Sequence, residues 1–137
     1  MRKLKNEELE RLTIRQFKLH PKTPFIIVLD NVRSLNNIGS IFRTCDAFLV
    51  EAVYLCGITA TPPHKDIRKT ALGASESVEW TYFQNTEDAI YRLKAGNYRI
   101  VSVEQTAGSK MLHEFTFEPY EKIALIFGNE VKGVQQS

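Results

Sequence analysis

Apolar residues in this chain fall into short runs, and the spacing within the runs changes along the sequence. Residues 25–29 and 123–127 are unbroken apolar stretches, the pattern of strands buried on both faces. Residues 52–56, 79–83 and 98–103 read as three further strands; Gly57 ends the first of these, and the 79–83 run is rich in aromatic side chains. After the 25–29 strand, Ile38, Ile41, Phe42, Cys45 and Leu49 recur at i, i+3, i+4, i+7 and i+11. That spacing puts them on one face of a helix against the sheet, with Ser40, Arg43 and Ala47 on the other side. A second helix follows the 79–83 strand. Asn85 is its predicted N-cap, Asp88 stands in a capping-box-like position, Ala89, Ile90 and Leu93 form its apolar side, and Gly96 closes it.

Strands alternating with helices predict an α/β domain, a mostly parallel sheet with flanking helices. At 137 residues the chain is long enough for one such core and too short for two. The joint between the 25–29 strand and its helix carries Asn31, Arg33, Asn36 and Asn37. It leaves the end of a buried strand, where open α/β sheets keep their ligand sites, and it predicts recognition of a polar, anionic ligand.

Composition changes this picture little. With 43% hydrophobic and 25% charged residues, neither disorder nor a fibrous class is indicated. The net charge of +2, from 18 basic and 16 acidic residues, means that any nucleic-acid surface must come from local clustering. Residues 1–24 read as an amphipathic helical extension with a weak stripe of Leu4, Leu9, Leu12 and Phe17. Its cations Arg2, Lys3, Lys5, Arg11, Arg15 and Lys18 serve either a solvated face or an RNA-facing arm. The densest basic cluster is at residues 64–69, with Lys65, Arg68 and Lys69; it is either a solvated surface helix or a phosphate-contacting surface. No apolar run is long enough to span a membrane and the N-terminus lacks an apolar signal region, so a cytoplasmic chain is expected. Cys45 and Cys56 lie in apolar contexts and are expected to be buried, reduced thiols. His20, His64 and His113 show no ligand spacing, and no metal site is expected. Gly128 and Gly133 have the separation of the outer P-loop glycines, but Val134 follows where that motif needs Lys, so a P-loop is rejected.

The two loops that close these strands carry longer patterns. Residues 31–32 and 37–48, with Asn31, Asn37, Gly39, Arg43 and Phe48, resemble the first motif of the SpoU or TrmH class of RNA ribose 2'-O-methyltransferases. Residues 125–134 resemble their second motif, and Val103, Glu104, Gln105 and Thr106 resemble the loop that lies against S-adenosylmethionine in that class. The resemblance covers nearly all of residues 25–137. It implies a SPOUT fold, trefoil-knotted when complete, and a homodimer whose site joins the cofactor loops of one subunit to the first motif of the other. The family's third motif, a Ser-Leu-Asn-type run beyond the second, has no counterpart before Ser137, so a C-terminally truncated domain with an incomplete knot is expected.

The resemblance further implies S-adenosylmethionine as cofactor, held by Val103, Glu104, Gln105, Thr106, Phe127, Gly128, Asn129 and Gly133. Arg43, Asn37 and Glu130 become the catalytic set, and Asn31, Arg33, Lys65, Arg68 and Lys69 the RNA contacts. Tasks for Arg43 are proton acceptor or cation. A neutral guanidinium at neutral pH costs roughly 8 kcal/mol, so a cation stabilising a developing alkoxide or the adjoining phosphate is chemically cheaper. The substrate is tRNA or ribosomal RNA. Two other readings stay open: a non-catalytic RNA-binding homologue, and an unrelated nucleotide-binding regulator.

Overall fold

The computed structural model describes residues 22–103 and 121–128. In chain order these form β1 (Thr23–Asp30), α1 (Leu35–Ala47), β2 (Val50–Cys56), α2 (Lys65–Ala71), α3 (Ala74–Ser77), β3 (Trp80–Phe83), α4 (Thr86–Ala95), β4 (Arg99–Val103) and β5 (Ile123–Gly128). The strands make one sheet in the order β3-β2-β1-β5-β4, and every pairing in it is parallel. The α/β architecture expected from the alternating runs is therefore present. Residues 1–21 of the expected N-terminal extension and the segment expected to hold the knot lie outside the described residues; Thr23 and Pro24, expected in the extension, belong to β1.

The alternation of side chains along each strand divides the core into two layers. Ile27, Leu29, Val53, Leu55, Ile123 and Leu125 face α1, α2 and α3, while Ile26, Val28, Tyr54, Cys56, Ala124 and Ile126 face α4. β1 lies at the centre, flanked by β2 and β5, which explains why its sequence is apolar at consecutive positions rather than alternate ones. Each fully buried aliphatic or aromatic side chain contributes about 1.5–3 kcal/mol, so this double layer is the main stabilising term. Both cysteines belong to it. Burial pushes each thiol up to about 12, with Asp46 adding to the effect at Cys45, so both stay protonated at neutral pH.

Local signals set the helix ends. α1 begins earlier than its apolar face indicates, because Ser34 caps it: Ser34 Oγ accepts from the Asn37 N–H at 3.1 Å. Ile38, Phe42 and Cys45 are buried as the spacing predicts; Ile41 is only half-buried, and Leu49 lies beyond the helix in a left-handed turn at φ 55°. Asn85 is the N-cap of α4 by position, but its side chain makes no capping bond. The next residue, Thr86, turns inward and donates to buried Asp30 instead. The surface-helix reading of residues 64–69 corresponds to α2, whereas α3 was not foreseen; α2 has only two buried residues, Ile67 and Ala71, too few to show a period. His64 caps α2, its Nδ1 accepting from the Asp66 N–H at 3.1 Å.

Gly39 determines how α2 sits. It is buried on α1, and a β-carbon there would fall inside the contact radii of Thr70 Oγ1 and the Ile67 carbonyl oxygen. Thr70 Oγ1 donates to the Asn36 carbonyl at 2.9 Å across the same contact. Helix propensity alone favours alanine over glycine by about 1 kcal/mol. The Gly39→Ala variant is nonetheless expected to lose about 1–3 kcal/mol in urea unfolding, because a backbone carbonyl cannot move aside. An unchanged or raised midpoint contradicts the close approach.

Candidate functional site

The carboxyl ends of the strands carry the polar residues. By register, Asp30 lies level with Cys56 on one side and Gly128 on the other, while Val103 lies level with Phe127. Asp30 is fully buried, a costly position for a carboxylate unless it is hydrogen-bonded. Thr86 Oγ1 donates to its Oδ1, and Asn31 Nδ2 approaches the same oxygen at 3.4 Å. Asn31 itself takes a left-handed turn, φ 54°; its N–H donates to the Cys56 carbonyl (3.2 Å), and its Oδ1 accepts from the Ile58 N–H (2.9 Å). Gly57, at φ 66°, leaves room for that oxygen, which a β-carbon would strike. Thr59 completes the clamp. Its buried hydroxyl donates to the Leu29 carbonyl (3.1 Å) and accepts from the Val32 N–H (2.9 Å).

The loops after β1 and β2 are thus bound to each other, and the end of β1 is bound to the start of α4. Asn31, read from the sequence as an RNA contact, has its carboxamide engaged in this scaffold. Beyond it Arg33 is exposed in the loop, and Asn37 is exposed on the first turn of α1. At the neighbouring strand ends Val103 and Phe127 are half-buried and Gly128 is buried. Glu104, Gln105, Thr106, Asn129, Glu130 and Gly133 lie outside the described residues.

Arg43 is exposed on the outer face of α1 and makes no hydrogen bond or ion pair with another described residue. It lines a groove of about 510 Å³ between α1 and α2. The other polar residues there are Ser40, Thr44, Lys69 and Thr70, and the apolar ones are Ala47, Phe48 and Leu72. Thr44 donates its hydroxyl proton back to the Ser40 carbonyl at 3.0 Å, and that of Thr70 is engaged with Asn36. The donors left for a ligand are therefore Arg43, Lys69 and Ser40. The basic cluster does not act as one patch. Lys69 enters the groove, with Asp66 at 3.4 Å; Arg68 turns toward Glu76 at 3.7 Å; Lys65 is exposed. These ion pairs are exposed and weak enough for a ligand to displace. The sequence did not bring Lys69 to Arg43, nor did it mark Leu72, Asp30 or Thr59. The spacing of Ser40, Arg43, Thr44 and Ala47, one outer face of a helix, was the available signal for the groove's α1 wall.

Among the described residues no group of His, Cys, Asp and Glu is placed to hold a metal ion, and no helix is long and apolar enough to cross a membrane.

A purely parallel sheet with polar loops at its carboxyl edge and a cationic groove beside it is an α/β ligand-binding domain of the doubly wound kind. Its family is more specific. The sequence pattern of the SpoU rRNA Methylase family matches residues 24–137, and the chain belongs to that family. It is 30% identical over 112 residues to an uncharacterized tRNA/rRNA methyltransferase of Borreliella burgdorferi, covering 82% of this chain and 48% of that protein. To the 23S rRNA (guanosine-2'-O-)-methyltransferase RlmB of Escherichia coli it is 29% identical over 113 residues, covering 82% and 45%. Among solved structures, the AdoMet-bound rRNA methyltransferase from Sinorhizobium meliloti superposes with a TM-score of 0.70 at 28% identity, over 87% of this chain and 45% of that one. The A. aeolicus TrmH/SpoU tRNA modifying enzyme shares the fold at a TM-score of 0.69 and 24% identity, over 95% and 64%. The chain spans about half the length of the curated relatives it matches.

The clamp under the β1 loop is directly testable. Thr59→Val keeps the shape but leaves the buried Val32 N–H and Leu29 carbonyl without their partner, so a loss of about 1–3 kcal/mol is expected in thermal or urea unfolding. Thr59→Ser, which restores the hydroxyl, is expected to recover part of it. Equal stability of the valine variant and the parent contradicts the bridging role.

Proposed function

We propose that this chain carries the catalytic domain of an S-adenosylmethionine-dependent enzyme that methylates a ribose 2'-hydroxyl of tRNA or ribosomal RNA. It acts in the cytoplasm as a homodimer. Family membership and the named activities of the relatives support the reaction class. The observation that carries the reading is the junction of strand ends: β4 and β5 run parallel as neighbours, with Val103 level with Phe127 and Gly128 one residue on. The two loops that resemble the cofactor-binding segments leave from these adjacent ends. A ledge formed by a half-buried valine and phenylalanine beside a glycine fits the apolar flanks of an adenosine and a methionine chain.

In this reading Val103, Glu104, Gln105 and Thr106 line one side of the cofactor, and Phe127, Gly128, Asn129 and Gly133 the other. S-adenosylmethionine supplies a methyl group already activated on sulfonium, so the protein's main task is positioning. With the cofactor bound, the ribose 2'-hydroxyl would take the methyl group from sulfur, leaving S-adenosylhomocysteine, and its proton would pass to water. Arg43 stays a cation and stabilises the oxygen as its negative charge develops, or holds the adjoining phosphate. Asn37 and Glu130 shape the pocket around the ribose. Arg33, Lys65 and Arg68 hold the RNA by its backbone, which makes binding fall with rising salt, and Asn31 contacts RNA from the loop that carries Arg33.

Two measurements on the full chain test this. Calorimetry with S-adenosylmethionine should show binding, and labelled methyl groups should enter total RNA taken from cells lacking the gene. Arg43→Ala is expected to reduce methyl transfer by about 100-fold or more while cofactor binding persists, and Arg43→Lys to recover part of the rate. Near-parental turnover in Arg43→Ala removes the arginine from the mechanism. RNA binding without cofactor binding identifies a non-catalytic RNA-binding protein instead.

A further inference from the structure

The carboxyl end of the sheet converges on one buried acid, Asp30. It ends β1, level with Cys56 on β2 and with Gly128 on β5. Thr86, which opens α4 after β3, donates its hydroxyl proton to Asp30 Oδ1, and the Cys56 thiol is hydrogen-bonded to the same threonine. Asn31 Nδ2 stands 3.4 Å from that carboxylate oxygen, while Asn31 Oδ1 accepts from the Ile58 N–H. A carboxamide has two ends of nearly the same shape, so only its neighbours decide which way it points. Here an acceptor on one side and a donor on the other leave a single orientation. Asn31 is thereby held in its left-handed turn, φ 54°, a conformation uncommon outside glycine and asparagine. The turn delivers the Val32 N–H to the Thr59 hydroxyl, and Arg33 and the α1 cap Ser34 follow directly.

Stability does not account for the acid. Burying a carboxylate costs desolvation, and a fold in which both partners of a buried polar pair become apolar groups of similar shape is commonly no less stable. What an apolar pair cannot supply is direction. We propose that Asp30 and Thr86 are positioning residues for methyl transfer: they fix the carboxamide of Asn31, and with it the turn that aims Arg33 and Asn37. The inference rests on the methyltransferase reading above and extends it to two residues that are buried and act only through the loop they hold. Catalysis by positioning is sensitive to such support, because a shift of about 1 Å in a reacting group costs up to roughly 100-fold in rate.

The test pairs kinetics with unfolding in the full chain. Thr86→Val keeps the shape and removes the donor; it is expected to lower both stability and turnover, the latter about tenfold, and Thr86→Ser to recover most of each. Asp30→Val combined with Thr86→Val separates the two effects. The double variant is expected to unfold closer to the parent's urea midpoint than Thr86→Val does. It is nonetheless expected to transfer methyl groups no faster than that single variant, with an apparent KM for RNA within about twofold of the parent's. Hydrogen exchange supplies a readout independent of activity. In the double variant the Ile58 amide is expected to exchange on the order of tenfold faster than in the parent, while the amides of Ile27 and Val28 in central β1 keep parental rates. Recovery of turnover together with stability in the double variant overturns the positioning role, and so does parental protection of Ile58. If the double variant does not fold, the Thr86 variants decide, measured below their midpoints: parental turnover in Thr86→Val overturns the role. A parent chain that neither binds S-adenosylmethionine nor methylates RNA overturns the methyltransferase reading, and the role with it.

Discussion

The absence of one side chain, at Gly39, sets the distance between α1 and α2, and the groove depends on that distance. With no β-carbon in the way, the backbone of α2 settles against α1, and Thr70 fixes the contact by donating to the Asn36 carbonyl. Lys69 precedes Thr70, and Arg43 lies one turn beyond Gly39 on α1, so both cations enter the same cleft. A larger residue at position 39 would spread the helices and separate them. The helix pair therefore acts on function through geometry, whereas its stability comes from Ile38, Phe42 and Ile67 buried beneath it.

The second constraint is the buried carboxylate of Asp30 on the central strand. It takes a hydrogen bond from Thr86, 56 residues away, and faces Asn31 in the loop that follows. Thr59 ties the same loop to the one after β2 through two backbone groups. The polar loop at the carboxyl edge is in this way tied to the sheet and to the loop after β2. A loop carrying Arg33 and leading to Asn37 gains from such support, because catalysis by positioning fails when the positioning groups drift.

Much of the fold was legible because strands buried on both faces leave unbroken apolar runs and α1 leaves a helical period. Residues 25–29 and 123–127 became the adjacent strands β1 and β5, and parallel pairing followed from the helices between strands. What stayed hidden has physical reasons. α2 was open only as a charged surface helix and α3 was not marked at all; they are seven and four residues long and bury too few side chains to set up a period. Asn85 has the composition of a capping residue, but the inward bond at this helix start belongs to Thr86 and a partner on a distant strand. Arg43 was marked by its motif and by its place on the outer face of α1, whereas Lys69 was marked as an RNA contact through the charged run it belongs to. Their common groove is a tertiary fact created at Gly39. Asn31, expected as an RNA contact, has its side chain bonded within the scaffold that holds the loop.

The proposed function has its sharpest consequence at Arg43 and Lys69, which line one groove and are proposed to meet the same stretch of RNA. A double-mutant cycle on RNA affinity, comparing the parent chain with Arg43→Gln, Lys69→Gln and the double variant at one salt concentration, tests it most directly. Groups that share a ligand atom couple, so the double variant should lose less than the two single losses added, by about 0.5–3 kcal/mol. Losses that add within about 0.3 kcal/mol would place the two cations on separate parts of the RNA and contradict the account.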